Sequence, residues 1–289
     1  RLGVERLREH VDDDVVDRRP VVLGRAVVEP GGLLVGGVVQ GAALLDLGGP
    51  AAGVATFVAA ATAGRGHHGL KEGVTDMDYL SVIEMLNACH GPSGDERQIA
   101  ATLKRLAEPY ADECWVDTLG NLIVHKKGNG PKVMFAAHMD SIGLIVTHID
   151  EKGYLSFGKL GGIRPESILH TPFRFKNGVS GVVSLRRNVS VKDMTLNDLY
   201  LDIGAKNEAH ARRLIQIGDT AVSKMPAFTT ESRLVSPYLD NRISCAVMLD
   251  AMSHIREYTN DLYFVFTVQE ELGLRGSKPA AYGIDPDYG

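Results

Sequence analysis

Three clusters of metal-ligand residue types lie where apolar segments of the sequence end. His138-Met139-Asp140 follows the apolar run 133–137, Asp240 opens a helical pattern, and Gln269-Glu270-Glu271 follows the apolar run 262–268. Imidazole and carboxylates without a thiolate suit Zn²⁺, Co²⁺ or Mn²⁺ rather than an iron–sulfur cluster. Each cluster alone is weak evidence. Together they predict a carboxylate-rich site of the kind that holds two metal ions and activates water for amide hydrolysis.

The spacing within each cluster assigns different tasks to its members. Residues i and i+2 of a strand point to one side, so His138 and Asp140 suit a ligand and the residue that orients it. Asp240, taken alone, is equally well explained as an ordinary helix N-cap. Adjacent Glu270 and Glu271 point to opposite sides unless the backbone turns. One of them can then bind metal while the other handles protons on a nearby water.

The elements that must position these clusters are helices and strands in the outer segments 77–144 and 235–289. Helical spacing of apolar residues predicts helices over 78–90 and 241–258. Ser93-Gly94-Asp95-Glu96 predicts a capping box at the start of a further helix. The run 133–137 predicts a strand buried on both faces of a sheet, and strands are also expected over 113–117, 122–127 and 262–268. Asp285-Pro286-Asp287 is interpreted as a turn before a strand, not as ligands.

The middle segment, 145–234, has a different pattern. Short alternating strands are separated by Gly, Asn and Pro, and they are predicted over 154–157, 173–175, 179–185 and 221–224. One helix is expected over 207–216. The predicted fold is therefore α/β, with a mixed sheet sandwiched by helices and an inserted small β-barrel domain.

The segment from Arg1 to Asp76 differs from the rest in composition. It holds 14 Gly, 14 Val and 10 Ala, but no Ile, Ser, Asn or Tyr. We interpret residues 1–76 as an unrelated or disordered extension and leave them out of the fold argument. The stretch from Gly31 to Gly64 carries one charged residue, Asp46, so a membrane span is the alternative interpretation. Its apolar content is mostly Gly, Ala and Val, and Pro50 lies within it, which argues against a span.

Charge and cysteine content limit the partners and the compartment. The formal net charge of -5 and a pI near 6.1 provide no electrostatic surface for nucleic acid. Three widely spaced cysteines without a CxxC pair argue against a disulfide scaffold. These features predict a cytoplasmic protein without nucleic-acid or membrane partners.

The motifs together resemble those of the M42 family of metalloaminopeptidases, the glutamyl or tetrahedral aminopeptidase group of the di-zinc peptidase clan. The resemblance rests on residues 137–143, 239–242 and 267–276 and covers Met77 to Gly289. Supporting segments are residues 91–94, 117–121, 201–205 and 218–219. The resemblance implies removal of N-terminal residues from peptides, and self-association through the inserted β domain, with a dodecamer as the family's assembly.

The resemblance also implies a role for each site residue. His138 and Glu271 would each ligate a metal, and Asp240 would bridge two divalent ions, Zn²⁺ or Co²⁺, with a cis peptide after it. Asp140 would orient His138. Glu270 would be the general base on the attacking water.

Two further ligands that the resemblance implies, an Asp and a His, would lie beyond Gly289. We therefore expect a C-terminally shortened chain that binds metal poorly and is inactive or weakly active. The alternative is a non-catalytic fragment or assembly subunit. A glycoside hydrolase is disfavoured, because paired carboxyls for sugar cleavage face each other about 5–9.5 Å apart, an arrangement that adjacent Glu270 and Glu271 do not naturally provide.

Overall fold

The computed structural model describes residues 77–289, and the proposed extension over 1–76, with its alternative membrane span, lies outside the described residues. Across 77–289, none of the helices has the length and apolarity needed to cross a bilayer. The α-helices of this part are α1 Tyr79–Ala88, α2 Arg97–Ala107, α3 Pro165–Ile168, α4 Glu208–Leu214, α5 Leu239–His254 and α6 Ser277–Ile284. Its strands are β1 Glu113–Val116, β2 Leu122–Lys126, β3 Lys132–His138, β4 Gly143–Ile149, β5 Leu155–Leu160, β6 Pro172–Phe175, β7 Ser180–Leu185, β8 Leu199–Asp202, β9 Thr220–Ser223, β10 Phe228–Thr229, β11 Leu234–Val235 and β12 Asp261–Thr267.

A four-stranded mixed sheet in the order β1-β2-β12-β3 forms the centre of the α/β part. Strand β12 pairs antiparallel with β2 and parallel with β3. Alternate residues of the central strands point to opposite faces. Leu122, Val124 and Phe264 pack against α1, α2 and α5, whereas Ile123 and Val265 pack against α6. The sheet is therefore sandwiched by helices, as the sequence predicted.

Strand β3 differs from its prediction because it is not buried on both faces. It lies at the edge of the described sheet, and the side chain of Phe135 is 44% exposed. Beyond β3, the turn predicted at 285–287 is present: Asp285 ends α6 with a φ of 53°. Tyr288 then pairs in parallel with Val133, and its carbonyl accepts a hydrogen bond of 2.8 Å from the Met134 N–H. Strand β3 is therefore less completely buried than β12, of which five of the seven residues are buried.

The middle of the chain forms a closed barrel of six strands in the order β4-β5-β8-β7-β6-β9. Its interior is apolar, with Phe173, Phe175 and Leu201 among the buried side chains. The first and last strands pair with each other, Leu144 opposite Ala221 and Ile145 opposite Thr220. The predicted inserted barrel is thus confirmed as a fold, although β4 and β8 had no counterpart among the predicted strands.

Helices α1 and α5 end earlier than the apolar periodicity suggested. Helix α1 ends at Ala88 and α5 ends at His254, whereas the sequence predicted helices to 90 and 258. Helix α5 caps its own last turn through the Ile255 N–H, which donates to the Ala251 carbonyl. Apolar periodicity continues beyond this point because Ile255 and Tyr258 still pack against the core cluster.

The stacked pair Phe264 and Phe135 offers a test of where the core lies. Their ring centroids are 5.1 Å apart, but Phe264 is 2% exposed and Phe135 is 44% exposed. We expect Phe264→Ala to lower the free energy of unfolding by about 3–5 kcal/mol, because it leaves a buried cavity. The matched control, Phe135→Ala, should cost clearly less. Chemical denaturation measures both, and equal losses would contradict the assigned edge position of β3.

Candidate metal centre

Three of the predicted site residues come together at one end of the sheet. His138, Asp240 and Glu271 each offer a ligand atom, and these atoms lie within 4.8 Å of one another. In the described residues 77–289 this is the one such group. His138 is buried at the end of β3, Glu271 is half-buried beyond β12, and Asp240 is exposed near the start of α5. The His138 Nε2 and Asp240 Oδ1 atoms are 3.0 Å apart.

Asp240 is not the N-cap that its position alone suggested. Helix α5 has no side-chain capping hydrogen bond, and its backbone is non-helical at Asp240 and Asn241, so regular helix begins at Arg242. The peptide bond between Asp240 and Asn241 is cis, as the family resemblance implied. The Asp240 carboxylate contacts His138 instead of the helix N–H groups. The N-cap interpretation of Asp240 is therefore wrong, and its role as a metal ligand stays a prediction.

The backbone turns at the Gln269-Glu270-Glu271 cluster. Such a turn is needed if the adjacent carboxylates of Glu270 and Glu271 are to reach the same site. Strand β12 ends at Thr267, and Gln269 has a left-handed φ of 53°. Glu270 Oε2 then lies 3.7 Å from His138 Nε2, next to the ligand group. Both carboxylates consequently reach the same region of the molecule from adjacent positions in the chain.

Asp140 connects the parts of this region. Its side chain is 0% exposed. Its Oδ1 accepts a hydrogen bond of 3.1 Å from the Glu270 N–H and lies 3.4 Å from His138 Nδ1. Its Oδ2 accepts from the Ser93 hydroxyl at 2.6 Å and from the Glu271 N–H at 3.3 Å. The His138 Nδ1 atom also lies 3.2 Å from the backbone carbonyl oxygen of Asp140. The orienting role expected of Asp140 stays a prediction, and its contacts with the backbone N–H groups were not predicted.

The predicted capping box at Ser93 and Glu96 is wrong. Helix α2 begins at Arg97, and neither side chain caps it. Ser93 donates to Asp140 instead, and Glu96 Oε1 accepts from the Gly94 N–H at 2.7 Å and the Gln269 N–H at 3.2 Å. Ser93 and Glu96 each form a hydrogen bond with a residue distant in sequence, Asp140 and Gln269 respectively. A local sequence pattern cannot reveal such partners. Ser93 and Glu96 belong to the candidate site.

The charges at the site favour a bound cation. Burial lowers the pKa of His138, but hydrogen bonds with Asp140 and Asp240 outweigh it and raise the pKa to about 10. Burial, together with the carboxylates of Asp240, Glu270 and Asp140, raises the pKa of Glu271 to about 7. These carboxylates repel one another, and a divalent cation would relieve the repulsion. The donor set, one imidazole and two carboxylates, fits such an ion.

Replacing the buried carboxylate tests its place in the network. Asp140→Asn puts an N–H₂ group against a backbone N–H, that of Glu270 or Glu271, whichever oxygen it replaces, so we expect a loss of about 1–3 kcal/mol in the free energy of unfolding. Ser93→Ala, which removes a single donor to Asp140, should cost less. Thermal or urea unfolding compares the two, and an Asp140→Asn protein as stable as the unaltered one would exclude this network as a stabilising feature.

Comparison with known proteins identifies the family. The profile of the M42 glutamyl aminopeptidases matches residues 120–289, which is more than half of the chain. The lysyl aminopeptidase of Pyrococcus furiosus is 41% identical over 200 residues, which are 64% of this chain and 57% of that protein.

Solved structures agree with this match. The aminopeptidase APDkam598 from the archaeon Desulfurococcus kamchatkensis superimposes with a TM-score of 0.69 at 35% identity, covering 72% of this chain and 61% of the other. The TET1 peptidase of Pyrococcus horikoshii gives a TM-score of 0.66 at 29% identity, covering 73% and 67%. The chain spans 57–64% of the length of the curated relatives first matched. On the site motifs, the fold and the profile match together, this chain belongs to the M42 family of glutamyl aminopeptidases.

Proposed function

We propose that the protein is a metal-dependent aminopeptidase, or a portion of one, that hydrolyses N-terminal residues from peptides. The observation that carries this proposal is the convergence of His138, Asp240 and Glu271 within 4.8 Å, with Glu270 beside them. The named aminopeptidases among its relatives support the same activity. The chain spans only part of the length of those relatives. Aminopeptidase activity is therefore proposed for this protein, not taken over from them.

The ligand set would hold a divalent metal, Zn²⁺ or Co²⁺. His138 would contribute its Nε2 atom, and Asp240 and Glu271 would contribute carboxylate oxygens. The family resemblance favours two ions that share Asp240. When bound, the metal supplies a Lewis acid that makes a water molecule a nucleophile at neutral pH and polarises the peptide carbonyl.

Glu270 is the proposed general base. It is half-buried, lies 3.7 Å from His138 Nε2 and stands outside the group of three ligands. A carboxylate in this position would accept a proton from the attacking water and pass it to the departing amine. Asp140 would keep the His138 ring in place and hold the backbone of Glu270 and Glu271.

The outer segments 77–144 and 235–289 would form the catalytic domain, and 145–234 the dimerisation domain. The barrel carries exposed apolar side chains, Val182, Val191 and Ile217, that are suited to contact with another subunit. The Pyrococcus horikoshii TET1 peptidase can assemble into a tetrahedron or a large octahedral shell, and we propose a comparable assembly, a dodecamer by resemblance.

All three cysteines are free thiols, which supports the proposed cytoplasmic location.

The second candidate is a non-catalytic assembly subunit. It is supported by the exposed apolar side chains of the barrel, Val182, Val191 and Ile217, which would serve an assembly whether or not the site hydrolyses peptides. Metal binding and hydrolysis must therefore be measured separately. Binding without hydrolysis would favour this second candidate.

Glutamate-to-glutamine variants separate the ligand from the base. Glu271→Gln should weaken Zn²⁺ binding by more than the roughly 10- to 100-fold that loss of an outer-shell partner costs, because it removes a charged ligand. The matched neighbour, Glu270→Gln, should bind Zn²⁺ nearly as the unaltered protein does, yet lose about 10²–10⁴-fold in hydrolysis of a leucine or glutamate anilide. Chelator competition measures binding. If both variants lose Zn²⁺ equally, the division of roles between these two residues is incorrect.

A further inference from the structure

The segment that carries Glu270 and Glu271 is held by side chains rather than by a neighbouring strand. Four successive backbone N–H groups, from Val268 to Glu271, donate to side-chain oxygens. The acceptors come from three separate parts of the chain: Asn121 after β1, Glu96 before α2, and Asp140 after β3. Backbone N–H groups at the end of a strand otherwise need carbonyl or water partners. The direction in which the chain leaves β12 therefore depends on these three side chains.

Asn121 fixes both ends of the turn. Its side chain is 0% exposed. Its Oδ1 accepts from the Val268 N–H at 3.0 Å, and its Nδ2 donates to the Gly276 carbonyl at 2.9 Å. Gly276 in turn donates to the Val268 carbonyl at 3.0 Å. A Cβ atom at position 276 would overlap with Asn121 Oδ1 and the Val268 carbonyl, so the closure leaves room only for glycine.

Asn121 is itself held in place by a neighbouring carboxylate. Asp117 Oδ1 accepts from the N–H groups of Leu119, Gly120 and Asn121, each at 2.9 Å. Asp117 Oδ2 accepts from Asn121 Nδ2 at 2.7 Å. The turn between β1 and β2 thereby presents the Asn121 amide in one orientation toward Val268.

Glu96 holds the residue at which the chain changes direction. It is 6% exposed, and its Oε1 accepts the Gln269 N–H at 3.2 Å and the Gly94 N–H at 2.7 Å. Gln269 has a φ of 53°, a left-handed conformation that is uncommon for residues other than glycine. Such a conformation persists where its surroundings specify it. The Glu96 carboxylate is part of those surroundings.

We propose that Glu96 and Asn121 are positioning residues for the metal centre, which set the directions of Glu270 and Glu271 without contacting metal or substrate. The inference rests on the proposed function for its consequence in metal binding, whereas the order of the turn can be measured without any metal. Displacing a reacting group by about 1 Å costs on the order of 10²-fold in rate. Loss of a residue that orients a ligand lowers metal affinity by about 10- to 100-fold.

Hydrogen exchange of the metal-free protein tests the first part. We expect Glu96→Ala to raise amide exchange in the segment 268–276 about tenfold, while peptides of the barrel keep their rates. Glu96→Gln retains a side-chain carbonyl in the same place and should restore the protection. Asp250→Ala serves as the matched control: it removes another buried carboxylate, which accepts a hydrogen bond of 2.8 Å from Tyr79, and it should leave the segment 268–276 unchanged.

Zn²⁺ affinity of the same proteins tests the second part. Glu96→Ala should bind Zn²⁺ about 10- to 100-fold more weakly, and Glu96→Gln should bind within about threefold of the unaltered protein. Asn121→Ala provides an independent variant, with faster exchange and weaker binding expected, in case Glu96→Ala does not fold. Exchange that rises throughout the chain, or Zn²⁺ affinity that stays constant while the turn loosens, would overturn the proposal. If the unaltered protein binds no Zn²⁺, the metal site proposed for His138, Asp240 and Glu271 of this chain fails, whereas the exchange data still decide whether Glu96 orders the turn.

Discussion

The site depends on the buried carboxylate of Asp140, which has no solvent contact and is hydrogen-bonded to groups from several segments. Burial alone would raise the pKa of Asp140, but hydrogen bonds from His138, Ser93 and the Glu270 N–H hold it below its ordinary value. A charge without solvent contact is costly unless hydrogen bonds and opposite charge offset the loss of hydration. Hydrogen bonds to a charged group contribute about 1.5–3 kcal/mol each. The segments that supply those donors must therefore stay together in the folded protein.

The register of the sheet places these donors where Asp140 needs them. In the parallel pair of β3 and β12, His138 lies opposite Thr267, so both strands end at the same level. The Met139 N–H then donates to the Thr267 carbonyl at 2.9 Å, which holds the two chains together just beyond the strands. Ligand sites of α/β sheets lie beyond the carboxyl ends of parallel strands. The metal-type residues at this level follow the same rule.

Features that depend on residue periodicity and on apolar runs could be predicted from the sequence. The central strands, the barrel and the grouping of His138, Asp240 and Glu271 could be predicted because each depends on local pattern or on the family resemblance. The partners of Ser93 and Glu96 could not, since Ser-x-x-Glu has the same appearance whether it caps a helix or bonds to residues far along the chain. Strand β4 was missed because it begins directly behind the His138 cluster, and the exposure of Phe135 depends on which strand forms the sheet edge.

The closure of the barrel bears on how the site assembles. His138 and Asp240 are 102 residues apart in the chain, and bringing such distant groups together costs entropy that grows with the logarithm of the loop length. Pairing of β4 with β9 brings the two ends of the insertion together. With the barrel closed, residues 139–142 on one side and residues 224–239 on the other separate it from these two ligands. The folded insertion thus shortens the effective loop between His138 and Asp240, and it lowers the entropy cost of bringing these two ligands together.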